Sequence, residues 1–327
     1  MEKLLEIKDL YVEYHTLESK VKALNGVNFS VAKGEAMGLV GETGAGKTTT
    51  ALSILNLLPP RVTFIPKGSV NFDGIEILER KNEKIVQKLR GDRIAMVFQN
   101  PLTALNPVFT IGEQVAMVFR RHRGMEKRQA MDEAKKMLEL VGIPGNRVVD
   151  YPHQFSGGMR QRVGIAAALA CDPSLLIADE PTTALDVTIQ AQVLELMKKL
   201  QESGDTSLIM ITHNLGIVNE LCEKVAVMYA GRIIEYGKVR EVFEHPAHPY
   251  TKGLLGSLPD IKKKTSRLTP IPGFMSNPSN LPVGCKFAAR CPHCKDVCLA
   301  QDPESKELTD GHTVACHFPN DYGKGGI

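Results

Sequence analysis

The feature that most constrains this chain is a glycine-rich loop, "GETGAGKT", at residues 41–48. It follows the apolar run "AMGLV", and the residues after it, "KTTTALSILNLL", have apolar positions at helical spacing. A loop of this pattern between a buried strand and a helix surrounds a phosphate with backbone N–H groups at the positive end of the helix dipole. A chance glycine-rich turn is the alternative, but the flanking strand and helix favour a phosphate site.

Each residue type in this loop suits a nucleotide bound with Mg²⁺. The glycines allow a tight path and close approach of the backbone, the lysine reaches the β- and γ-phosphates, and Thr48 offers its hydroxyl to the metal. The residues predicted to contact the nucleotide are Gly41, Thr43, Gly44, Ala45, Gly46, Lys47, Thr48 and Thr49.

A nucleotide bound with a metal ion also needs a carboxylate at the end of a neighbouring strand, and the segment "SLLIADE" supplies two acidic residues there. Asp179 is predicted to hold Mg²⁺ through water, and Glu180 to polarise the water that attacks the γ-phosphate. Adjacent positions at the end of a strand point to opposite sides, so the two acids can have different roles. Taken alone, the pair could equally be a solvated strand edge.

A second phosphate cradle is indicated by "QFSGGMRQRVGIAAALACDP", residues 154–173, where a serine and two glycines open a helix. It lies about a hundred residues after the first cradle. One ATP does not ordinarily need two such cradles.

The order of motifs resembles that of the ATP-binding subunits of ABC transporters: the phosphate loop, Gln99, "SGG", "IADE", "ALD" and His213, between about Tyr14 and Gly237. In that family the signature residues, here Ser156, Gly157 and Gly158, bind the γ-phosphate of ATP held by the opposite subunit. The resemblance therefore implies a dimer with two sandwiched ATP molecules. This chain departs from the usual signature at Phe155 and Met159, where the family has leucine and glutamine.

The resemblance also implies roles for residues outside the two cradles. Gln99 is expected to touch Mg²⁺ or the attacking water and to couple the site to the helical insert. Asp186 matches a loop that reaches across the dimer, although it could be only a helix N-cap. His213 matches a histidine that contacts the γ-phosphate and orients Glu180.

Tyr14 is similar to the aromatic residue that stacks on adenine in this family. A tyrosine packed on the core is the alternative interpretation, and Tyr11 is the competing candidate for the stacking role.

The predicted fold class is α/β, a P-loop ATPase with a mixed sheet, a helical subdomain at about 101–165 and a small cysteine-rich C-terminal domain. Antiparallel strands are expected near the N-terminus, with hairpin signals at Asp73-Gly74 and in "VAVMYAGRIIEYG". Proline density rises in the C-terminal part. We predict an ATPase domain at 1–245 and an extension at 246–327.

The seven cysteines are unevenly distributed. Cys171 and Cys222 are predicted core residues within apolar helices. The others crowd the C-terminal part at Cys285, Cys291, Cys294, Cys298 and Cys316. In a reducing compartment such crowding is more typical of a metal site than of disulfides. Four thiolates can hold either Zn²⁺ or a four-iron four-sulfur cluster, and free thiols without a metal are the third possibility.

The C-terminal part, with "HPAHPYTKGLLGSLP", "IPG" and "GCKFAARCPHCKDVC", resembles the extension of dipeptide and oligopeptide importer ATPases. The four cysteines of that extension match Cys285, Cys291, Cys298 and Cys316, whereas Cys294 is additional and is either a replacement ligand or a spare. Their spacing lacks the paired CxxC knuckles of most zinc ribbons, and together with the resemblance this favours a 4Fe-4S cluster over Zn²⁺. His293 and His317 are interpreted as neighbours.

The function implied is ATP hydrolysis that powers peptide import through a separate membrane permease. Expected partners are a second ATPase subunit, related rather than identical, and an extracytoplasmic peptide-binding protein. The balance of 40 basic and 37 acidic residues disfavours a nucleic-acid partner. No apolar stretch approaches the length of about 20 residues that spans a bilayer, which predicts a peripheral protein on the cytoplasmic face of the membrane. The alternative is a soluble ABC ATPase in iron-sulfur assembly or repair.

Overall fold

The computed structural model describes residues 2–17, 19–100, 104–182, 185–202, 206–257, 270–309 and 311–319. Its strands in chain order are β1 (Lys3–His15), β2 (Lys20–Ala32), β3 (Ala36–Val40), β4 (Thr63–Phe64), β5 (Ser69–Phe72), β6 (Ile75–Glu76), β7 (Ile94–Val97), β8 (Leu175–Asp179), β9 (Ser207–Ile211), β10 (Lys224–Tyr229), β11 (Arg232–Lys238), β12 (Lys306–Thr309) and β13 (His312–Val314).

The helices alternate with these strands over much of the chain, as the α/β prediction requires. They are α1 (Lys47–Ile54), α2 (Glu83–Leu89), α3 (Ile111–Arg123), α4 (Lys127–Leu140), α5 (Gly157–Leu169), α6 (Val187–Glu202), α7 (Leu215–Leu221), α8 (Val239–Glu244), α9 (Pro249–Gly256) and α10 (Asp296–Ala300).

The chain divides into two units. The first, here called the phosphate-loop unit, comprises Leu5–Ser30, Met37–Glu76 and Thr212–Ile327. In it β3 lies parallel to β10, β10 is antiparallel to β11, and β13 pairs with both β11 and β12. A smaller sheet has the order β2-β1-β5-β6, with β4 paired to β1. The mixture of parallel and antiparallel pairs confirms the predicted mixed sheet.

Short turns join neighbouring strands of this unit. Asp73 and Gly74 have φ angles of 47° and 82° between β5 and β6. Ala230 and Gly231 have φ angles of 45° and 78° between β10 and β11. Two successive residues with positive φ match the twist of antiparallel strands, which is why these hairpins were readable from sequence.

The second unit, here called the helical unit, comprises Met1–Leu4, Val31–Ala36 and Ile77–Ile211. Its strands β7, β8 and β9 are parallel, so the predicted crossover helices connect them. α3 and α4 occupy the predicted helical insert. α3 begins with a capping box, in which Thr110 and Glu113 satisfy each other's backbone N–H groups.

The two isolated cysteines are core residues, as predicted, with exposed fractions of 1% for Cys171 and 8% for Cys222. Their predicted location within helices is wrong, because they lie just beyond the ends of α5 and α7. Cys222 has extended backbone angles, and Asp172 after Cys171 has a φ of 47°, so the chain turns at both points. No helix in the described part of the chain is both long and apolar enough to cross a membrane.

Candidate functional site

The phosphate loop joins β3 to α1 with a backbone that only glycine adopts readily. Gly41, Gly44 and Gly46 have φ angles of 151°, 83° and 107°. A Cβ atom on Gly46 would also lie 2.9 Å from the carbonyl oxygen of Ala23. The glycines of the motif therefore meet two requirements at once, positive φ and close backbone packing.

The lysine of the loop is held by the loop itself. Lys47 is only 8% exposed, and its Nζ donates to the carbonyl oxygens of Gly41 at 2.7 Å and Glu42 at 3.0 Å. Thr48 lies exposed in the first turn of α1, and Thr43 is exposed in the loop. This combination of a fixed ammonium group and accessible hydroxyls suits a phosphate chain with a metal ion.

Of the two tyrosines proposed for adenine stacking, Tyr14 is the one next to the phosphate-loop helix. Its hydroxyl donates to Oγ1 of Thr49 at 3.3 Å, and the ring is partly exposed. The hydroxyl of Tyr11 instead packs under Gly26, where an added Cβ would be 2.9 Å away. The structure therefore favours Tyr14 as the candidate.

Three residues of this site escaped the sequence analysis: Glu42, Tyr250 and Arg290. The carboxylate of Glu42 accepts two hydrogen bonds from the guanidinium of Arg290, and the Glu42 N–H donates to the Tyr250 hydroxyl at 2.9 Å. One signal was present in the sequence. An acidic side chain inside a phosphate-binding loop would repel the ligand unless a cation neutralised it.

In the helical unit, the structure brings Gln99 and Glu180 together. Gln99 follows β7, and its Nε2 donates to Oε2 of Glu180 at 2.9 Å. Asp179, the last residue of β8, is 2% exposed. The predicted role of Gln99 in coupling the site to the helical insert stays a prediction.

Asp179 and Glu180 differ in backbone conformation. Glu180 lies beyond the end of β8 and has a φ of 46°, and its N–H donates to the carbonyl oxygen of Ile211 at 2.8 Å. The strand conformation therefore ends at Asp179, and Glu180 lies in a left-handed turn. A non-glycine residue held with positive φ is typical of functional sites.

The second cradle has the predicted geometry at the start of α5. Ser156 is the N-cap, and its side chain accepts from the N–H of Met159 at 3.3 Å. A Cβ on Gly157 would meet no atom within 4 Å, so this helix terminus is open to an incoming group. Phe155 is 3% exposed, and the Arg147 guanidinium lies 4.1 Å from the centre of its ring. Packing thus explains the substitution of Phe155 for leucine.

Asp186 and His213 have simple local settings. Asp186 precedes α6, and its Oδ1 accepts from the N–H of Ile189 at 3.0 Å, which is the N-cap contact named as the alternative to a role across a dimer. His213 is exposed after β9 and belongs to the phosphate-loop unit. Their predicted roles toward ATP stay predictions.

The four predicted cysteine ligands line one small cavity in the phosphate-loop unit. The cavity is bounded by His248, Pro249, Cys285, Phe287, Ala288, Cys291, His293, Cys298, Cys316, His317 and Phe318. The N–H of Cys285 donates to the carbonyl oxygen of Cys298 at 2.8 Å, which brings two distant segments together. Burial raises the pKa of both Cys285 and Cys291 to about 11. We name this site the cysteine cavity.

The additional cysteine, Cys294, does not line the cysteine cavity. Its Sγ lies 3.8 Å from the carbonyl oxygen of Lys295. In the described part of the chain, no three His, Cys, Asp or Glu side chains are grouped closely enough to hold one metal ion.

Two family models match this chain, one over its N-terminal and central part and the other over its C-terminal part. A family model described as "ABC transporter" matches residues 24–183. A second model, described as "Oligopeptide/dipeptide transporter, C-terminal region", matches residues 234–298.

Individual relatives match nearly the whole chain. The dipeptide transport ATP-binding protein DppD of Bacillus subtilis is 49% identical, covering 97% of this chain and 95% of that protein. The oligopeptide transport ATP-binding protein OppD of Salmonella typhimurium is 46% identical, covering 97% and 94%. A solved dimeric structure of the ATP-binding cassette MJ0796, bound to ADP and Pi, has a TM-score of 0.66 and 29% identity over 72% of this chain and 99% of that chain.

Proposed function

The chain belongs to the ABC transporter family of ATP-binding subunits, and we propose that it hydrolyses ATP to power import of dipeptides or oligopeptides through a separate membrane permease. The observation that carries this function is near-half identity, along almost the full chain, to relatives named for dipeptide and oligopeptide transport. The match to the peptide-transporter C-terminal region supports peptides as the cargo. These relatives do not support the alternative of an assembly or repair factor.

For the chemical step we propose Glu180 as the group that polarises the attacking water. Its contact with Gln99 at 2.9 Å and its left-handed backbone support this role. Lys47 binds the β- and γ-phosphates, and His213 orients Glu180 and contacts the γ-phosphate. Bound Mg²⁺ neutralises charge on the phosphates, with Thr48, Gln99 and, through water, Asp179 as its proposed ligands.

We propose that the working unit is a pair of ATPase subunits with two ATP molecules. Ser156, Gly157 and Gly158 supply the second cradle to the partner's nucleotide, and the open N-terminus of α5 supports such a role. The related cassette MJ0796 has been solved as a dimer. We propose a related chain, rather than a second copy, as the partner. Within each chain we assign residues 1–245 to the ATPase domain and 246–327 to the extension.

A docking surface for the permease is proposed on the helical unit. Val108 and Phe109 are 71% and 40% exposed, and Val149 and Tyr151 are 68% and 41% exposed. The two segments are neighbours, because the N–H of Ile111 donates to the carbonyl oxygen of Asp150 at 2.9 Å. Exposed apolar side chains gathered in this way are typical of protein interfaces. Attachment there holds the subunit at the cytoplasmic face of the membrane, and an extracytoplasmic binding protein delivers the peptide.

For the cysteine cavity we propose a 4Fe-4S cluster in preference to Zn²⁺. A tetrahedral Zn²⁺ with Zn–S bonds of about 2.3 Å brings its thiolates within about 4 Å of one another. A cluster carries one thiolate on each iron, so its ligands stand farther apart. Four cysteines line one cavity, and their sequence spacing, which lacks paired CxxC knuckles, is the basis for preferring the cluster. The ligands would be Cys285, Cys291, Cys298 and Cys316.

The cluster proposal is tested by anaerobic purification, with an absorption spectrum and iron and zinc analysis. We expect iron and sulfide near four per chain, retained in Cys294→Ser and lost in Cys298→Ser. A colourless, zinc-loaded protein would refute the proposal.

The transport function is tested by uptake of a labelled dipeptide in cells that lack the chromosomal copy. Wild-type protein should restore uptake, Glu180→Gln should not, and Glu195→Gln, altered at an exposed position on α6, should behave as wild type. Uptake that persists with Glu180→Gln as the only copy would contradict the proposal.

A further inference from the structure

Glu42 ties the phosphate loop to the C-terminal region of the chain. Its Oε2 accepts from Nη1 of Arg290 at 2.9 Å, and its Oε1 accepts from Nη2 at 3.1 Å. Its N–H donates to the Tyr250 hydroxyl at 2.9 Å, and its carbonyl oxygen accepts from Lys47 Nζ at 3.0 Å. Glu42 is thus bonded both to the lysine of the phosphate loop and to two residues more than 200 positions away in the chain.

Arg290 is placed rigidly enough to position Glu42. Its side chain is 6% exposed, and its Nε donates to the carbonyl oxygen of Pro272 at 2.9 Å. A bidentate guanidinium–carboxylate pair fixes orientation as well as distance. The pair also neutralises a carboxylate that would otherwise add negative charge beside the bound phosphates.

Tyr250 is held by an aromatic cluster that extends to the cysteine cavity. Its ring centre lies 4.8 Å from that of Tyr229 and 5.5 Å from that of Phe287. Phe287 lines the cysteine cavity, and so does His248, whose Nδ1 accepts from the Tyr250 N–H at 3.0 Å. The residues that line the cavity are therefore packed against the residues that hold Glu42.

A third contact reaches the loop from the same region. An added Cβ on Gly44 would lie 2.8 Å from the terminal methyl group of Met275. The segment that leads into the cysteines therefore also comes close to the phosphate loop at Gly44.

We propose that Arg290 is a positioning residue of the ATP site, which holds and neutralises Glu42 so that nucleotide affinity and the cysteine cavity depend on each other. The inference rests on the proposed ATPase function. Because the Lys47 ammonium group donates to the Glu42 carbonyl oxygen, any shift of that group toward bound phosphates passes through Glu42 to the Arg290 pair and Tyr250, and from them to the cavity. Coupling of this kind is reciprocal, so the cavity must respond to nucleotide as much as the nucleotide site responds to the cavity.

The first test measures binding of a fluorescent ATP analogue with Mg²⁺ to the purified full chain. Arg290→Met should weaken binding and raise KM by about tenfold to a hundredfold, with a much smaller change in kcat. Arg290→Lys keeps the charge without the bidentate fork, so its affinity for the analogue should lie between those of the wild type and Arg290→Met. The matched control is Arg240→Met, at a side chain that is 83% exposed.

The second test separates neutralisation from a merely structural role. The double variant Glu42→Gln with Arg290→Met removes both charges and should recover most of the lost affinity. In Arg290→Met alone, the loss should shrink as salt is raised, because screening weakens the repulsion by the unpaired carboxylate. A lowered melting temperature with unchanged affinity would mean that Arg290 is only structural and would refute the inference. If Arg290→Met does not fold, the nucleotide affinities and melting temperatures of Arg290→Lys and of the double variant are compared with those of the wild type instead.

The reciprocal test follows the rate at which a ferrous-iron chelator removes iron from the cluster proposed for the cysteine cavity, in the full chain (the parent) and in its Arg290→Met variant. ATP with Mg²⁺ should change this rate severalfold in the parent and leave it unchanged with Arg290→Met. Equal rates with and without nucleotide in the parent would refute the coupling. Failure of the parent chain to bind ATP at all would instead refute the proposed function.

Discussion

Replacement of Glu235 by alanine should destabilise the phosphate-loop unit more than any surface substitution. Glu235 lies in β11 with 1% exposure. Its Oε1 accepts from the Ala247 N–H at 2.7 Å and pairs with Nε2 of His312 at 2.9 Å, and its Oε2 accepts from the His248 N–H at 2.9 Å. One carboxylate therefore joins β11 to the start of α9 and to β13.

The magnitude follows from the groups that the substitution leaves without partners. Each buried donor that loses its acceptor costs about 1–3 kcal/mol, so the two backbone N–H groups alone cost about 2–6 kcal/mol. That is a large share of the stability of about 5–15 kcal/mol that folded domains possess. Glu235→Gln should destabilise the unit less than Glu235→Ala, because the carboxamide keeps one acceptor oxygen. Some cost remains, since its NH₂ group faces a second donor.

The free energy of unfolding, measured by urea denaturation, checks this reasoning. Glu304→Ala is the matched control, since Glu304 is exposed in the same unit. A Glu235→Ala variant within about 0.5 kcal/mol of that control would show that the buried carboxylate does not hold these segments together.

The remaining predictions concern the ATP site and the buried thiols. Glu180→Gln should lower kcat by about 10² to 10⁴ while ATP still binds, as measured by single-turnover hydrolysis and by retention of nucleotide; normal turnover would contradict its role. Lys47→Ala should instead weaken binding itself, seen as a rise in the dissociation constant for ATP. Gly46→Ala should weaken ATP binding by about tenfold to a hundredfold, through strain of about 1–3 kcal/mol and contact with the Ala23 oxygen; unchanged affinity would exclude that strain. Burial raises the pKa of Cys222 from 9.0 to about 12, so iodoacetamide at pH 8 should label it only after unfolding, as read by mass spectrometry. Because the folded thiol keeps a proton that the unfolded thiol releases above pH 9.0, this burial contributes less stability as the pH rises toward 12.

Local structure was predictable where neighbouring residues carry the signal. The positive φ angles of Gly41 and Gly46, the N-caps at Ser156 and Asp186, and the hairpin at Asp73 all depend on backbone chemistry within a few residues. For such features the sequence motif and the observed geometry agree.

Long-range pairings were harder to predict than local structure. Arg290 lies 248 positions from Glu42, and no periodicity or motif connects them. The cysteine pattern indicated a shared site but not that Cys294 lies outside the cysteine cavity. The left-handed turn at Glu180 depends partly on its bond to Ile211, a residue of the next strand.

By itself, the sequence determined the phosphate loop, the second cradle, the alternation of strands and helices, and the family, because each of these is written in short ordered motifs. Only the tertiary structure decided which distant side chains meet: Gln99 with Glu180, Glu235 with His312, and Arg290 with Glu42. The physical reason is that backbone preferences act over a few residues, whereas side chains far apart in sequence meet only where the packing of the surrounding unit brings their segments together.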